Sequence, residues 1–498
     1  MNPVDIVIAN VRIVPGLGPE DAPELADVLV RDGVIAEIAP TGRFVRNAGG
    51  HSAHSVLSSP RAEVVDAAGR HLIPGLWDEH VHFDLWTALA RRIDLSPAAS
   101  AAEAAALVAA AATPAGLVAG YGYRDGLWPD RAHKDLLDAA LPGREVVLVS
   151  NDAHAVWLSS AALARFGGAG HPTGVLVEAD AFDVIGRIRE TPEDIDAWAP
   201  EAGRAAAARG VVGIHDLEMG YNLESWRRRM AAGFDALRVR SGVYADGFER
   251  AEGDGAATGT AFGPLLRVGC FKVITDGSLG SRTACCVDPY PGTQDHGVLA
   301  VPPDDLRGML LRARALGLEP AVHAIGDEAN RLALDAMTEL RTGGRIEHAQ
   351  LLREEDVPRF AAAGIAASVQ PEHAMDDRDA AERYWPGRTG RAFMLRTLLD
   401  AGARVVFGSD APVSPLDPWL GIAAAVTRSR DGRPPWHPEQ AITAAEALAC
   451  SVRTRIVPGE PADLVLLDAD PLGDPASLRS MPVAATLLAG RFTHRLGL

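Results

Sequence analysis

The sequence predicts an α/β protein: a (β/α)8 TIM barrel with an inserted cap subdomain, plus a small β-sandwich built from both termini. Three observations support this fold class. Short strand patterns at both ends of the 498-residue chain flank a long middle in which strand and helix patterns alternate. The middle holds eight candidate strands, the number that a closed parallel barrel requires. The first gap between those strands is far longer than one connecting helix needs.

The terminal parts of the chain carry the predicted sandwich. Apolar and polar side chains alternate in short runs near the N-terminus, where an Asp-Gly pair is typical of a hairpin turn. Similar runs return near the C-terminus. We therefore predict that residues 1–73 and 451–498 form one β-sandwich and that the barrel occupies residues 74–450.

The predicted barrel strands are short, mostly apolar runs separated by helical patterns. They lie at residues 75–83, 211–216, 237–244, 267–275, 319–324, 344–348, 364–369 and 404–409. The long first gap, about residues 85–200, contains a strand pattern of its own and is predicted to form the cap. Insertions at the carboxyl ends of barrel strands lie over the active site, so this segment is expected to set specificity.

Composition narrows the class of protein and its partners. The chain is 47% hydrophobic and 23% charged, as is ordinary for soluble globular proteins. A formal net charge of -18 without a dense block of basic residues argues against nucleic acid and anionic membranes as partners. No signal peptide or membrane span is evident, and the four cysteines show no CxxC spacing, so a cytoplasmic location is expected.

Two histidines shortly after Pro74 give the first sign of a metal site. His80 and His82 are separated by one apolar residue in a predicted strand. Residues i and i+2 of a strand point to the same side, so both imidazoles can reach one metal ion. For this motif alone, two half-exposed histidines placed together by chance are the alternative.

Lysine usage singles out another residue. Lysine occurs only at Lys134 and Lys272, and the rest of the 48 Lys and Arg residues are arginines. Lys134 lies in a helical, exposed pattern where arginine would serve as well, whereas Lys272 lies in an apolar strand where a lysine is costly. Unlike a guanidinium group, the amine of Lys272 can lose its proton and act as a nucleophile or carry a carbamate.

Polar residues follow several of the other predicted barrel strands. Lys272 lies on the fourth strand, His323 on the fifth and His348 on the sixth, while Asp410 follows the eighth. The carboxyl ends of all barrel strands meet at one mouth, where the catalytic groups of this architecture lie. A single histidine after a strand is more often a packing or capping residue, but the whole set, with His80 and His82, indicates one site.

Together these motifs resemble the amidohydrolase superfamily, in particular the amidohydrolase family 3 branch of metal-dependent hydrolases that includes N-substituted formamide deformylases. The resemblance covers nearly the whole chain. It rests on His80-Val81-His82, the run from Phe271 to Ala284, His323-Ala324-Ile325-Gly326-Asp327, Glu347-His348-Ala349-Gln350, Ser368-Val369-Gln370-Pro371 and Gly408-Ser409-Asp410-Ala411-Pro412-Val413. These motifs are specific for the branch and much less specific for a substrate.

The resemblance implies a binuclear metal centre. Lys272 would be carboxylated by CO2, and its carbamate would bridge two divalent ions. His80, His82 and Asp410 would hold the buried ion, and His323 and His348 the outer one. Zn²⁺ is the favoured ion because imidazole and carboxylate ligands suit it, with Mn, Fe and Ni as open alternatives.

The chemistry expected of such a centre is hydrolysis of an amide or related C–N bond. Two cations lower the pKa of a bridging water, so that hydroxide is available near neutral pH. Asp410 would take the proton of that water and pass it to the leaving nitrogen. A deaminase or a cyclic amide or ester hydrolase on the same scaffold is the alternative, and an inactive metal-binding relative is a further one.

Four residues are predicted to contact the substrate. His154 matches a position that the family uses near its substrate, with simple capping as the alternative. Arg282, in the Gly-rich loop after the fourth strand, is a candidate for binding a substrate anion or for fixing its loop. Gln370 and His373 follow the seventh strand and are expected to line the pocket. The expected partner is a small-molecule amide, with a homodimer as a possible assembly, while His215 is expected to support the structure.

Overall fold

The structure, a computed structural model, describes residues 5–44, 63–113, 115–151, 153, 155–166, 168–177, 179–188 and 190–498. The chain divides into two compact units. One consists of Met1–Phe83 and Trp198–Leu498, and the other is Asp84–Ala197. The domain boundaries given above stay predictions.

The larger unit contains a parallel sheet of eight strands that follow one another in chain order. The strands are Leu76–Val81, Val211–Asp216, Arg238–Val243, Leu266–Ile274, Pro320–Ala324, Arg345–His348, Ala366–Val369 and Val405–Phe407. The sheet closes where the eighth strand meets the first: the Asp410 N–H donates to the His80 carbonyl at 2.7 Å and the His82 N–H to the Ala411 carbonyl at 2.8 Å. The predicted (β/α)8 barrel is therefore confirmed.

Helices alternate with these strands along the chain. The helices of the larger unit after the second barrel strand are Leu223–Ala231, Phe248–Asp254, Pro303–Ala315, Asp327–Leu340, Val357–Ala363, His373–Tyr384, Leu395–Asp400, Pro418–Thr427 and Ala444–Cys450. Short 3-10 helices occupy Ala245–Gly247, Glu354–Asp356, Thr389–Arg391, Pro438–Gln440 and Pro475–Ser480. Local signals explain the ends: the last α-helix begins with a capping box of Thr443 and Glu446, which satisfies two backbone N–H groups.

A second sheet joins the two ends of the chain. Its strands are Ile6–Ile13, Ala26–Arg31, Val34–Pro40, Glu63–Asp66, His71–Pro74, Leu464–Leu467, Val483–Leu488 and Arg491–Arg495. The N-terminal strand His71–Pro74 pairs antiparallel with the C-terminal strand Leu464–Leu467. The buried core between the strands draws on both ends of the chain, including Ile8, Val28 and Leu466. Both ends of the chain thus build one β domain, as predicted for the terminal β-sandwich, and its strands form one continuous sheet.

The smaller unit has its own five-stranded sheet, with the strands in the order Val175–Val177, Ala155–Leu158, Val146–Ser150, Val118–Tyr123 and Ile93–Asp94. Its helical segments are Ala101–Ala111, Asp125–Leu127, Lys134–Ala140, Ser160–Phe166 and Ala179–Arg187, and the helices Phe83–Leu89 and Pro192–Ala207 cross its limits. Apolar residues such as Leu95, Val146 and Trp157 form a buried core of its own. The inserted segment is thus an independent α/β unit.

None of the helices in the described ranges is both long and apolar enough to cross a membrane.

Candidate metal centre

The carboxyl ends of the first and eighth barrel strands bring three metal-ligating side chains together. Asp410 Oδ1 lies 3.3 Å from His80 Nε2 and 3.2 Å from His82 Nε2. The three ligand atoms lie within 4.8 Å of one another. The backbone of Asp410 has a φ of 58°. This left-handed conformation is costly for a residue with a side chain and is often found at functional sites.

Lys272 lies beside these ligands in the interior of the barrel. Its Nζ atom is 3.2 Å from His80 Nε2, and the residue is 2% exposed. Burial lowers the pKa of Lys272 to about 8, because a charged ammonium group loses its hydration there. A neutral amine, the form that reacts with CO2, is therefore more accessible at Lys272 than in an exposed lysine.

His348 lies at the end of the sixth strand, in contact with other histidines. Its ring centroid is 5.0 Å from that of His80 and 4.4 Å from that of His323. A second group of three ligand atoms within 4.8 Å is formed by His348, His373 and Asp410. Among the described residues, His348 Nδ1 and His373 Nε2 are buried and have no hydrogen-bond partner.

The protonation of these groups suits metal binding. Burial lowers the pKa of His80 to about 4 and that of His323 to about 3, and it holds the pKa of His348 well below its usual value. Burial alone would raise the pKa of Asp410, but the imidazoles around it, His80 foremost, hold it well below the usual range. Neutral imidazoles and an ionised carboxylate are the forms that bind cations. His82 differs: burial alone would lower its pKa, but the hydrogen bond and the charge of Asp410 raise it above the usual value, so a metal ion would have to displace its proton.

Glu347 orients His80. The His80 Nδ1 atom lies 2.8 Å from Glu347 Oε2, and Gln370 Nε2 lies 3.4 Å from the same nitrogen. A carboxylate on one ring nitrogen fixes the tautomer that leaves the other nitrogen free for a metal. Glu347 is fully buried and pairs with Arg345, whose Nε lies 2.5 Å from Glu347 Oε1. The sequence signal for this role was a carboxylate next to His348, two residues after Arg345, in a predicted barrel strand.

Asp276 plays a similar part near His323. Its carboxylate accepts the backbone N–H groups of Cys285, Ile325 and Gly326 at 2.8–3.0 Å, and Asp276 Oδ1 lies 3.4 Å from His323 Nε2. Asp276 thus ties the Gly-rich loop after the fourth strand to the segment after the fifth strand. Sequence reasoning assigned it no role, although it directly follows the strand that carries Lys272.

A buried ion network lies behind the ligands. Glu79 accepts hydrogen bonds from Arg345 and from Arg453, and Arg345 in turn pairs with Glu347. Arg453 comes from the C-terminal segment, 374 residues away in sequence from Glu79. His215 supports the same region: it accepts the Cys270 N–H at 3.2 Å and lies 3.8 Å from Glu79. The network connects the terminal segment to the ligand His80.

Two of the four predicted substrate-binding residues lie at the metal centre. Gln370 and His373 lie in the centre described above. Arg282 is exposed, and its guanidinium group lies 5.8 Å from the ring of Tyr384. Tyr384 ends the helix that His373 begins, which puts it about 16 Å along the helix axis from His373. His154 lies outside the described residues.

The donor set fits a divalent transition metal ion. It combines several imidazoles, an ionised carboxylate and a lysine amine, and two of its buried imidazole nitrogens have no partner among the described residues. Nitrogen and carboxylate donors in such proportion suit Zn²⁺ and neighbouring ions, whereas Ca²⁺ and Mg²⁺ prefer oxygen ligands alone.

Two known proteins are similar to this chain over nearly its whole length. YtcJ of Bacillus subtilis (strain 168) is 29% identical over 530 residues, covering 95% of this chain and 97% of that protein. An N-substituted formamide deformylase of Arthrobacter pascens is 27% identical over 528 residues, covering 93% of this chain and 94% of the deformylase.

A solved structure shares the fold. The crystal structure of an uncharacterized metal-dependent hydrolase from Pyrococcus horikoshii OT3 superimposes with a TM-score of 0.78 at 24% identity, covering 95% of this chain and 99% of that one. The sequence model of the amidohydrolase family (Amidohydro_3) matches residues 63–494, which include every predicted metal ligand. The chain therefore belongs to the amidohydrolase family.

Proposed function

We propose that the protein is a metal-dependent amidohydrolase that cleaves the C–N bond of a small N-acyl or N-formyl amine. One observation carries the proposal: Lys272 Nζ and Asp410 Oδ1 both lie within 3.3 Å of His80 Nε2, in a family whose members are amidohydrolases. Membership of that family supports a hydrolase, and the relative named as an N-substituted formamide deformylase supports the choice of bond.

Two divalent ions, with Zn²⁺ as the first candidate, would polarise the substrate carbonyl and supply hydroxide near neutral pH. His80, His82 and Asp410 would hold one ion, and His323 and His348 are the ligands expected for the other. Lys272 would bridge them as a carbamate. The lowered pKa of Lys272 supports that role, since the amine must be neutral to take up CO2.

Asp410 is the proposed general base and acid. Its carboxylate is ionised because neighbouring imidazoles hold its pKa low, so it can accept a proton from the attacking water. It then gives that proton to the leaving nitrogen, which departs as the neutral amine. Glu347 contributes by holding His80 in one tautomer and orientation.

The first experiment compares metal content and turnover in three proteins purified without added metal: wild type, Lys272→Arg and Lys134→Arg. Lys134 is the other lysine of the chain and serves as the matched control. We expect about two divalent ions per chain in wild type and in Lys134→Arg, and clearly fewer in Lys272→Arg, since arginine cannot form the carbamate. Equal metal content in all three would show that Lys272 is not a ligand.

Turnover is measured on a panel of N-formyl amines, N-acyl amines, cyclic amides and exocyclic amines. Release of free amine from the N-formyl or N-acyl members would support the proposed bond class. Turnover confined to the cyclic amides would instead indicate a cyclic-amide hydrolase, and turnover confined to the exocyclic amines would indicate a deaminase. The cytoplasmic location and the homodimer stay predictions.

A further inference from the structure

We propose that His373 is a ligand of the second metal ion, together with His348 and Asp410. The inference rests on the proposed two-metal function and adds to it a ligand from the segment after the seventh barrel strand. The expected second-site ligands were His323 and His348, while His373 was expected only to line the substrate pocket.

Three donor atoms carry the inference. One ligand atom each from His348, His373 and Asp410 lies within 4.8 Å of the other two. Donor atoms on one tetrahedral zinc ion lie about 3.4 Å apart, since each is about 2.1 Å from the metal. Side-chain shifts on the order of 1 Å would therefore close the three atoms around one ion. Asp410 belongs to both candidate groups.

One ring nitrogen of His373 has no hydrogen-bond partner within the described residues. The residue is 7% exposed, and its Nε2 atom is buried without a hydrogen-bond partner there. A buried polar nitrogen without a partner costs free energy, which a metal bond would recover. Its ring lies parallel to that of His348, with an interplanar angle of 17° and a centroid separation of 6.3 Å. Both imidazoles thus border the same space.

His323 is engaged differently. Its Nε2 atom lies 3.4 Å from Asp276 Oδ1 and 3.5 Å from the Gly277 carbonyl oxygen. One of its two ring nitrogens is therefore directed at the protein, and any metal bond must use the other. Such a contact orients a metal-ligating histidine, as Glu347 does for His80, so His323 keeps its expected role. His373, with an unpartnered nitrogen in the three-donor group that contains His348, would add a further ligand to that site.

The backbone before His373 is firmly held. Glu372 is buried, and it accepts hydrogen bonds from Arg430 at 2.9 Å and from Arg479 at 2.8 and 3.0 Å. The His373 N–H donates to the Gln370 carbonyl at 3.1 Å. These contacts fix the first turn of the helix and so fix where the imidazole emerges. Such support reduces the cost of ordering a ligand when metal binds.

The first test measures metal content after dialysis, and second-ion affinity by chelator competition, for wild type, His373→Ala and His494→Ala. His494 lies in the terminal strand Arg491–Arg495 and is the control for loss of a histidine. We expect His373→Ala to lose about one of two ions and to bind the second at least about tenfold more weakly. His494→Ala should match wild type.

A ligand exchange gives a positive signal that does not depend on loss of metal. Thiolate binds soft cations strongly, so His373→Cys loaded with Cd²⁺ should show a thiolate-to-cadmium charge-transfer absorption that wild type lacks. His82→Cys serves as the positive control at the first site. Circular dichroism checks that each variant is folded.

The results separate the two proposals. Full metal content and affinity in His373→Ala would overturn the role of His373, as would the absence of the charge-transfer band when His82→Cys shows one. Wild-type protein with a single ion or none would instead overturn the two-metal function, and the His373 inference with it.

Discussion

His80 Nδ1 lies 2.8 Å from Glu347 Oε2, and both side chains are almost completely buried. The contact joins the first barrel strand to the sixth and leaves His80 Nε2 facing Lys272 and Asp410. A carboxylate in this position raises the basicity of the ligand and restricts its ring to one orientation. Metal affinity in this protein should therefore depend on Glu347, even though Glu347 is not itself a proposed metal ligand.

Glu347→Gln tests that dependence. Glutamine keeps the size of the side chain but loses its charge, so we expect metal affinity to fall by about 10- to 100-fold while the barrel stays folded. Affinity is measured by chelator competition and folding by circular dichroism. The control is Glu355→Gln, which changes an exposed carboxylate paired with Arg353. Unchanged affinity in Glu347→Gln would mean that His80 is oriented by its packing alone.

The pairing of Arg453 with Glu79 supports a prediction about stability. Glu79 and Arg345 are both nearly inaccessible, and Arg453 reaches them from the segment that follows the barrel. Removing one partner of a buried ion pair costs about 3–5 kcal/mol, because the other charge stays buried without compensation. Arg345 still pairs with Glu79 in the variant, which reduces the penalty. We therefore expect Arg453→Ala to lower the free energy of unfolding by about 3 kcal/mol.

Denaturant unfolding measures this loss, with Arg495→Ala as the control. Arg495 pairs with Glu63 at the surface, where both side chains are more than a third exposed. Such pairs contribute at most about 1 kcal/mol. Equal losses in the two variants would show that the buried network adds nothing beyond an ordinary surface contact.

His215 predicts how stability depends on pH. Burial, followed by repulsion from Arg345, lowers the pKa of His215 from 6.5 to about 3. Below pH 6.5 the unfolded chain binds a proton at this residue that the folded chain does not bind, so stability is full above that pH and falls as the pH drops toward 3. At pH 5 the loss from His215 is about 2 kcal/mol.

The measurement is the free energy of unfolding of metal-free wild type and metal-free His215→Gln at neutral pH and at pH 5. Glutamine does not titrate, so the variant should lose about 2 kcal/mol less than wild type over this interval. Both proteins keep the other buried histidines, whose contributions cancel in the comparison. The same loss in both would show that His215 takes up its proton equally in the folded and unfolded chains, so that folding does not lower its pKa.

The sequence was sufficient to predict the barrel but not the contacts that support its site. All eight barrel strands lie where apolar runs indicated them, and His80, His82 and Asp410 converge because strand ends meet at one mouth. Arg345 and Arg453, the partners of Glu79, lie hundreds of residues away from it, as His80 does from Glu347, and no local pattern specifies such pairings.

Local sequence patterns are equally uninformative about most of the side chains near the second candidate ion. Lys272 could be recognised because a lysine in an apolar strand is exceptional. His373 lies at the start of a helix, where a histidine has many ordinary roles, and only the three-dimensional arrangement brings it beside His348. Asp276 was equally hidden, since its three backbone donors belong to loops that follow different strands.

Gly408 lies where the barrel closes at the ligands, and this position predicts a steric requirement. A Cβ atom at residue 408 would lie 2.6 Å from the His80 backbone nitrogen and 2.7 Å from its Cβ. Those atoms are backbone or close to it and cannot rotate away, so the first and eighth strands would have to separate. Overpacking of this kind costs about 1–3 kcal/mol. It would also move His80 relative to Asp410.

Gly408→Ala should therefore lower both the free energy of unfolding and the metal affinity. Gly421→Ala is the matched control, because the nearest atom to its added Cβ is Pro371 Cδ at 3.7 Å, an ordinary contact, and the residue lies within the helix Pro418–Thr427. Alanine within a helix is favoured over glycine by about 0.5–1 kcal/mol, so Gly421→Ala should be neutral or stabilising. Unfolding curves and chelator competition on both variants measure the two effects. If Gly408→Ala kept wild-type metal affinity while losing stability, the ligand geometry would tolerate separation of the strands, and close packing of the barrel at this point would serve the fold alone.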